Sequence, residues 1–156
     1  MMVNTMTEQY QMVRDSRKIL FDYCGDLQND HFVREHPSFG RGGSIRNLAV
    51  HIANTYQFWI GRHALAQEIE FTPYQSITEP STLSGLFETI DIMMDTFFIR
   101  CQKTNAFTIK LSDKTEVITT LKLFTHVITH EFHHKGQILS LSRQWGYTPV
   151  DTDIIR

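Results

Sequence analysis

Four of the chain's eight histidines lie in the stretch Thr125 to Ile138, THVITHEFHHKGQI. His126, His130 and His134 follow one another at i, i+4 and i+8, and His133 sits between the last two. Residues three and four apart on a helix share a face, so a helical reading lines imidazoles along one side. Imidazole is the commonest protein ligand for transition metals, and the chemistry such a stripe offers is the holding of a divalent ion. Three histidines at this spacing do not easily share one ion, because the outer two lie ~12 Å apart along the axis. Each ring nitrogen must come to ~2.0–2.1 Å from a zinc-like ion. Either His126 with His130 or His130 with His134 can chelate, and a further ligand must come from elsewhere. Spacing alone does not choose between the pairs.

The run His130-Glu131-Phe132-His133-His134 also satisfies the H-E-x-x-H pattern of metalloproteases, in which the glutamate acts as general base. That makes Glu131 a candidate catalytic residue. The pattern is short, and a protease of this kind would need a third ligand downstream, from Asp151 or Asp153, and a strand edge for its substrate. Glu131 lies ~100° around the helix from His130. A solvated residue or a supporting partner of the ligands are its alternative roles.

The missing ligand must come from elements packed against this helix. Residues 5–24 read as a first helix, with Met6, Tyr10, Val13, Leu20 and Cys24 on one stripe and Leu27 extending it. Glu8, Gln9, Arg14, Asp15 and Lys18 fill its other side, Gly25 is a stop signal, and the element reads as scaffold. Residues 26–43 read as a long connection punctuated by Pro37, Gly40 and the pair Gly42-Gly43, in which His31 and His36 either line a pocket or, the favoured reading, are solvent-exposed loop histidines. Ser44 is a good N-cap for a second helix, whose stripe runs Ile45, Leu48, Ile52, Thr55, Trp59. His51 lies within that stripe. Alone it reads as a core histidine, but in a helix bundle metal sites are assembled from facing helices, and His51 is the best remaining candidate ligand. His63 reads as a surface residue.

A second connection, residues 68–81, contains Pro73 and Pro80 and leads to a third helix capped by Ser81 or Thr82. Leu83, Leu86, Phe87, Ile90, Met94, Phe97 and Cys101 form its core stripe, to about residue 102. Between 105 and 118, Phe107, Ile109 and Leu111 alternate with polar residues, giving either a small hairpin packed on the helices or a loop. A fourth helix runs from about Thr119 to Gly146, a natural C′ residue. The last ten residues read as a tail that docks on the bundle or frays. Four amphipathic helices joined by loops, two of them long, predict an all-α four-helix bundle in a single domain, residues 1–156.

Composition narrows the function classes. A chain of 156 residues fits one domain with a real core, and its net charge of -2 favours no polyanion, so nucleic acid is not the expected partner. Cys24 and Cys101 sit in helical patterns as buried small hydrophobes, a usage that suits a reducing compartment. The N-terminus shows no signal-peptide pattern and no apolar run approaches the ~20 residues of a membrane span, so the expected location is the cytoplasm.

The segment HEFHHKGQI resembles the C-terminal signature of the DinB-like superfamily, in which a histidine, a second histidine four on, a basic residue and Gly-Gln share a helix. The segment Ser44-Ile45-Arg46-Asn47-Leu48-Ala49-Val50-His51-Ile52, with Trp59 after it, resembles that family's second-helix signature. The resemblance covers nearly the whole chain, though only these two segments are specific. It implies a four-helix bundle of unusual helix order and a divalent metal, commonly zinc or nickel, on three histidines. By position these are His51, His130 and His134. Lys135 stands where the family often has arginine, and His126 and His133 receive no role. An open three-histidine site can lower the pKa of a bound water or bind a thiol as thiolate. The resemblance leans toward transfer of a low-molecular-weight thiol, such as bacillithiol or mycothiol, to an electrophile, since some members of the family are such S-transferases while others are isomerases or hydrolases. The alternatives are hydrolysis by metal-bound hydroxide and a non-catalytic, stress-related metal-binding module. A small-molecule substrate and a homodimer are the expected partners.

Overall fold

A computed structural model describes residues 2–37 and 43–156. Gly40 and Gly42 lie outside the described residues. Helix α1 spans Met2–Gly25 and buries Met6, Tyr10, Val13, Leu20 and Cys24, as its stripe predicts, together with Ser16 and Arg17. The connection after it is not all loop, because a short helix α2 covers Asn29–Val33. His31 is therefore helical, and it stacks on Trp145 at 5.5 Å between centroids. Its Nδ1 lies 2.8 Å from the Tyr147 hydroxyl, and His36 packs edge-on against Trp145 at 5.6 Å. Both side chains are thus tied to the end of the last helix, which corrects their reading as solvent-exposed loop residues.

Helix α3 spans Ile45–Tyr56, and the Ser44 hydroxyl accepts from the Asn47 amide at 3.0 Å as the predicted N-cap. The helical path continues past Tyr56. It widens into a π-helical segment, Gln57–Ala64, closed by the Leu65 amide donating to the Ile60 carbonyl five residues back at 2.9 Å. A π-turn adds a residue per turn and re-aims the side chains that follow, a device common at functional sites. Gly61 sits where this segment meets its neighbours. A Cβ there would lie 2.8 Å from Ile69 Cδ1 and 3.0 Å from Met93 Cε. The connection that follows is pinned to α3 by Asn54, whose amide donates to the Thr72 carbonyl and accepts from the Thr72 amide.

Helix α4 spans Leu83–Cys101 and is entered through a single 3-10 turn, Pro80–Thr82. Strands β1 (Ala106–Lys110) and β2 (Thr115–Thr119) pair antiparallel, with Phe107 opposite Ile118. A lone hairpin is marginal in water, and this one buries Phe107, Ile109 and Ile118 against the helices. Phe107 stacks on Phe97 of α4 at 5.6 Å. Helix α5 spans Thr120–Gln144 and is capped by the Thr119 hydroxyl, which accepts from the Lys122 amide.

The long helices α1, α3 with its π extension, α4 and α5 form the four-helix bundle. Pairing of His51 with His130 and His134, of Tyr56 with Glu131 and of Trp59 with His126 runs α3 antiparallel to α5. The tail docks at least as far as Thr152, whose carbonyl accepts from the Ser16 hydroxyl at 2.5 Å. No described helix is long and apolar enough to cross a membrane. Cys24 and Cys101 are buried free thiols, and burial pushes them up to about 12 and about 11 respectively.

Gly146 ends α5 at φ +87°. The Gly146 amide donates to the Arg143 carbonyl at 3.0 Å, and the Tyr147 amide to the Ser142 carbonyl at 3.2 Å. These two bonds make a Schellman stop, which needs a left-handed residue at this position. No atom would meet an added Cβ there, so a substitution costs only backbone strain. Gly146→Ala should lower the unfolding free energy by about 1–2 kcal/mol, read from a shifted urea midpoint at unchanged slope.

Candidate metal centre

His51 reaches the site from α3, and His130 and His134 reach it from one face of α5. One ligand atom from each lies within 4.8 Å of the others, and all three side chains are half-buried. The ring centroids stand 5.0 Å (His51 to His130), 4.7 Å (His51 to His134) and 4.3 Å (His130 to His134) apart. The Nε2 atoms of His130 and His134 face each other at 3.1 Å. Two nitrogens on one tetrahedral zinc-like ion stand about 3.3 Å apart, given bonds of ~2.05 Å. The arrangement therefore fits a divalent ion, with His51 closing the triangle from across the bundle. Among the described residues no fourth His, Cys, Asp or Glu joins the group. Residues 38–42, Ser-Phe-Gly-Arg-Gly, contain none of these residue types.

Ligands must be neutral imidazoles to offer a lone pair. Burial holds His130 down to about 3, and the neighbouring His134, His51, His126 and His133 push the same way. Burial also lowers His134, against the opposing hydrogen bond of Gln137. The two α5 histidines differ behind the ring. His134 Nδ1 lies 2.6 Å from Gln137 Oε1, whereas His130 Nδ1 is buried with no hydrogen-bond partner.

His126 stays outside the triangle. It is exposed, its ring is 6.0 Å from that of His130, and it packs edge-on against Trp59 at 5.1 Å. His133 is also exposed and meets Gln137 Nε2 at 3.3 Å. His63, expected at the surface, is half-buried against Phe58 and Trp59, with its Nε2 buried and unpartnered. The π-helical segment places it there, and sequence periodicity carries no signal for that re-aiming.

Glu131 has a different setting from the one its motif suggests. It is 0% exposed, so it is no solvated residue. Arg17 of α1 grips its carboxylate with two bonds, Nε to Oε1 and Nη2 to Oε2, each 2.9 Å. The Tyr56 hydroxyl donates to Oε2 at 2.7 Å, and Lys135 Nζ lies 3.4 Å from Oε1. Burial alone would raise the Glu131 pKa. The charge and hydrogen bonds of Arg17, helped by Lys135 and Tyr56, outweigh burial and hold it below the usual carboxylate range. A carboxylate so held, with its lone pairs occupied, is a poor proton acceptor. Asp151 and Asp153 are exposed in the tail, so neither supplies the third ligand that the protease pattern needs.

Around Glu131 extends a polar network. Arg17 also donates to Asp91 Oδ1 at 2.8 Å, and Asp91 accepts from the Tyr10 hydroxyl at 2.6 Å. Lys135 is buried and donates to Ser16 Oγ at 2.9 Å, and burial brings its pKa down to about 8 against the opposing pull of Glu131. Helices α1, α3, α4 and α5 are thus tied together through Arg17 and the carboxylate of Glu131, the residue next to His130. Arg17 was not among the sequence candidates, although it falls on the stripe Tyr10, Val13, Leu20, Cys24 with helical spacing. A charged residue on an apolar stripe is the signal that finds it.

Comparison with known proteins agrees with this architecture. The chain is similar to the uncharacterized protein YizA of Bacillus subtilis (strain 168), 24% identical over 143 residues, which cover 86% of this chain and 84% of that protein. The family model described as DinB family matches residues 1–156. With that match running the full length of a four-helix bundle whose histidines converge from α3 and α5, the chain belongs to the DinB family.

Proposed function

We propose that this protein is a metal-dependent enzyme that holds one divalent ion, zinc or nickel, on His51, His130 and His134, and transfers a low-molecular-weight thiol to an electrophilic small molecule. The observation that carries the reading is the three-nitrogen triangle with no fourth protein ligand among the described residues. Structural zinc sites are usually closed by four protein ligands, whereas catalytic sites keep a position open. An ion on three neutral ligands keeps its full charge and favours the deprotonated form of a thiol or water that it binds. The protein's part is to keep the three rings neutral and aimed at one point.

Family membership supports the thiol reading, since some relatives of this kind are thiol S-transferases. The setting of Glu131 favours it over hydrolysis. Activation of water on an H-E-x-x-H helix calls for a free carboxylate base, and here that carboxylate is committed to Arg17, Tyr56 and Lys135.

Two measurements test the proposal. Protein purified without added metal should carry about one divalent ion per chain by elemental analysis, the stoichiometry of a single site. A panel of thiols with an electrophilic acceptor should then show turnover that needs both metal and thiol. Turnover that needs metal but no thiol would replace the transferase reading with a hydrolase, and bound metal without turnover in either panel would leave a binding module.

A further inference from the structure

Metal-ligating histidines are usually oriented by a hydrogen bond from the second ring nitrogen, and the partner fixes which nitrogen carries the proton. Among the described contacts, Gln137 is placed to do this for His134. It lies three residues on from His134 and four on from His133, so one helix face brings all three together. Its Oε1 is 2.6 Å from His134 Nδ1, and its Nε2 is 3.3 Å from His133 Nε2.

The amide has two ends of opposite character, so the two contacts are coupled. With Oε1 toward His134, Nδ1 carries the hydrogen and donates, which leaves the His134 Nε2 lone pair facing His130 Nε2 across 3.1 Å. The Gln137 NH2 group then donates to His133 Nε2, which accepts. With the amide turned over, His134 Nδ1 would have to accept, its proton would move to Nε2, and the lone pair needed for a metal would be lost. His133 braces the amide by accepting from its NH2 group in the productive orientation, and it would have to donate from Nε2 if the amide were turned over.

We infer that Gln137 is a positioning residue for the metal centre: its Oε1, 2.6 Å from His134 Nδ1, favours the Nδ1–H tautomer of His134, and the contact with His133 braces the amide there. A neutral amide suits this place. It accepts a hydrogen bond without adding negative charge, so the ion keeps the charge on which thiol activation depends. The inference rests on the proposed three-histidine site, yet its first consequence concerns the metal-free chain and can be read there.

The experiment has two arms. In metal-free protein, side-chain 15N shifts from long-range 15N–1H spectra report the tautomer of each histidine. The unmodified protein should show His134 as Nδ1–H, and Gln137→Leu should shift it toward Nε2–H. In the second arm, titration with cobalt(II) alone, followed by its visible absorption, should give an affinity for Gln137→Leu about 10–100-fold weaker than that of the unmodified protein, the usual cost of losing such a partner. Gln137→Glu keeps an acceptor at the same place and should restore both the tautomer and the affinity, which a merely structural loss would not allow. His133→Ala should produce a smaller shift in the same direction. An unchanged His134 tautomer together with unchanged cobalt affinity in Gln137→Leu would overturn the inference. Failure of the unmodified protein to bind cobalt, with the His134 tautomer still controlled by Gln137, would overturn the metal centre instead.

Discussion

Glu131→Ala should cost about 3–5 kcal/mol of folding stability, the range seen when one partner of a buried ion pair is removed. The reason is less the attraction lost than the charge left behind. Arg17 is 3% exposed and Lys135 is 1% exposed, and both lean on this one carboxylate. Without it, Arg17 keeps Asp91 at 2.8 Å, but its Nε loses Glu131 Oε1 and the Tyr56 hydroxyl loses Glu131 Oε2. Urea unfolding of metal-free protein measures the effect, and a loss under ~1 kcal/mol, the scale of an exposed pair, would contradict it. Glu131→Ala combined with Arg17→Met should cost clearly less than the sum of the two single changes, because the second removes the stranded cation. The sign of the pH dependence follows from the same contacts. The folded pKa lies below the unfolded value of ~4.3, so the contribution is fully present above that pH and fades as the pH falls through the lowered folded value. The unmodified protein should therefore show an acid loss of stability, below ~pH 4, that Glu131→Gln lacks.

This network also marks the boundary of what the sequence makes legible. Features written in local chemistry can be read directly. Ser44 and Thr119 cap their helices through their own hydroxyls, and Gly146 stops α5 because a left-handed residue is needed there. That His51 should face the histidines of α5 is legible because two helical stripes, each carrying imidazole, can share a metal only by facing one another, whereas the choice of His130 with His134 over His126 with His130 comes from the family resemblance and not from spacing. Arg17 and Glu131 are different. They are 114 residues apart: the place of Arg17 on an apolar stripe marks it as buried but does not name its partner, and Glu131 reads as a solvated residue or a motif base until Arg17 is placed beside it. The π-helical turn after Tyr56 is of the same kind. It arises where Gly61 lets the segment approach Ile69 and Met93, and it carries His63 off the surface, an outcome that helical periodicity alone does not contain. The short helix α2 depends likewise on distant partners, with His31 stacked on Trp145 and the Gln28 amide donating to the Tyr147 hydroxyl.

Of all substitutions at the centre, His51→Ala should lower metal affinity most tellingly, by more than the ~10–100-fold that loss of an outer partner costs. His130 and His134 already form a pair at i, i+4, so a residual two-nitrogen site survives on α5, as it would on many unrelated helices. What distinguishes this bundle is the third nitrogen arriving from α3, with rings 5.0 and 4.7 Å from the other two. His126→Ala provides the matching control. Its ring lies one turn away, 6.0 Å from that of His130, and it packs on Trp59 rather than on the triangle, so affinity should be unchanged. Metal titrations on His126→Ala and His134→Ala separate the two ways of pairing the α5 histidines. If His126→Ala emptied the site while His134→Ala did not, the ion would sit one turn nearer the start of α5, opposite Trp59 and away from His51. Because α3 and α5 run antiparallel, a shift along one helix is a shift in the opposite sense along the other. Only at the level of His130 and His134 does α3 present an imidazole to meet them, and that coincidence makes the geometry specific.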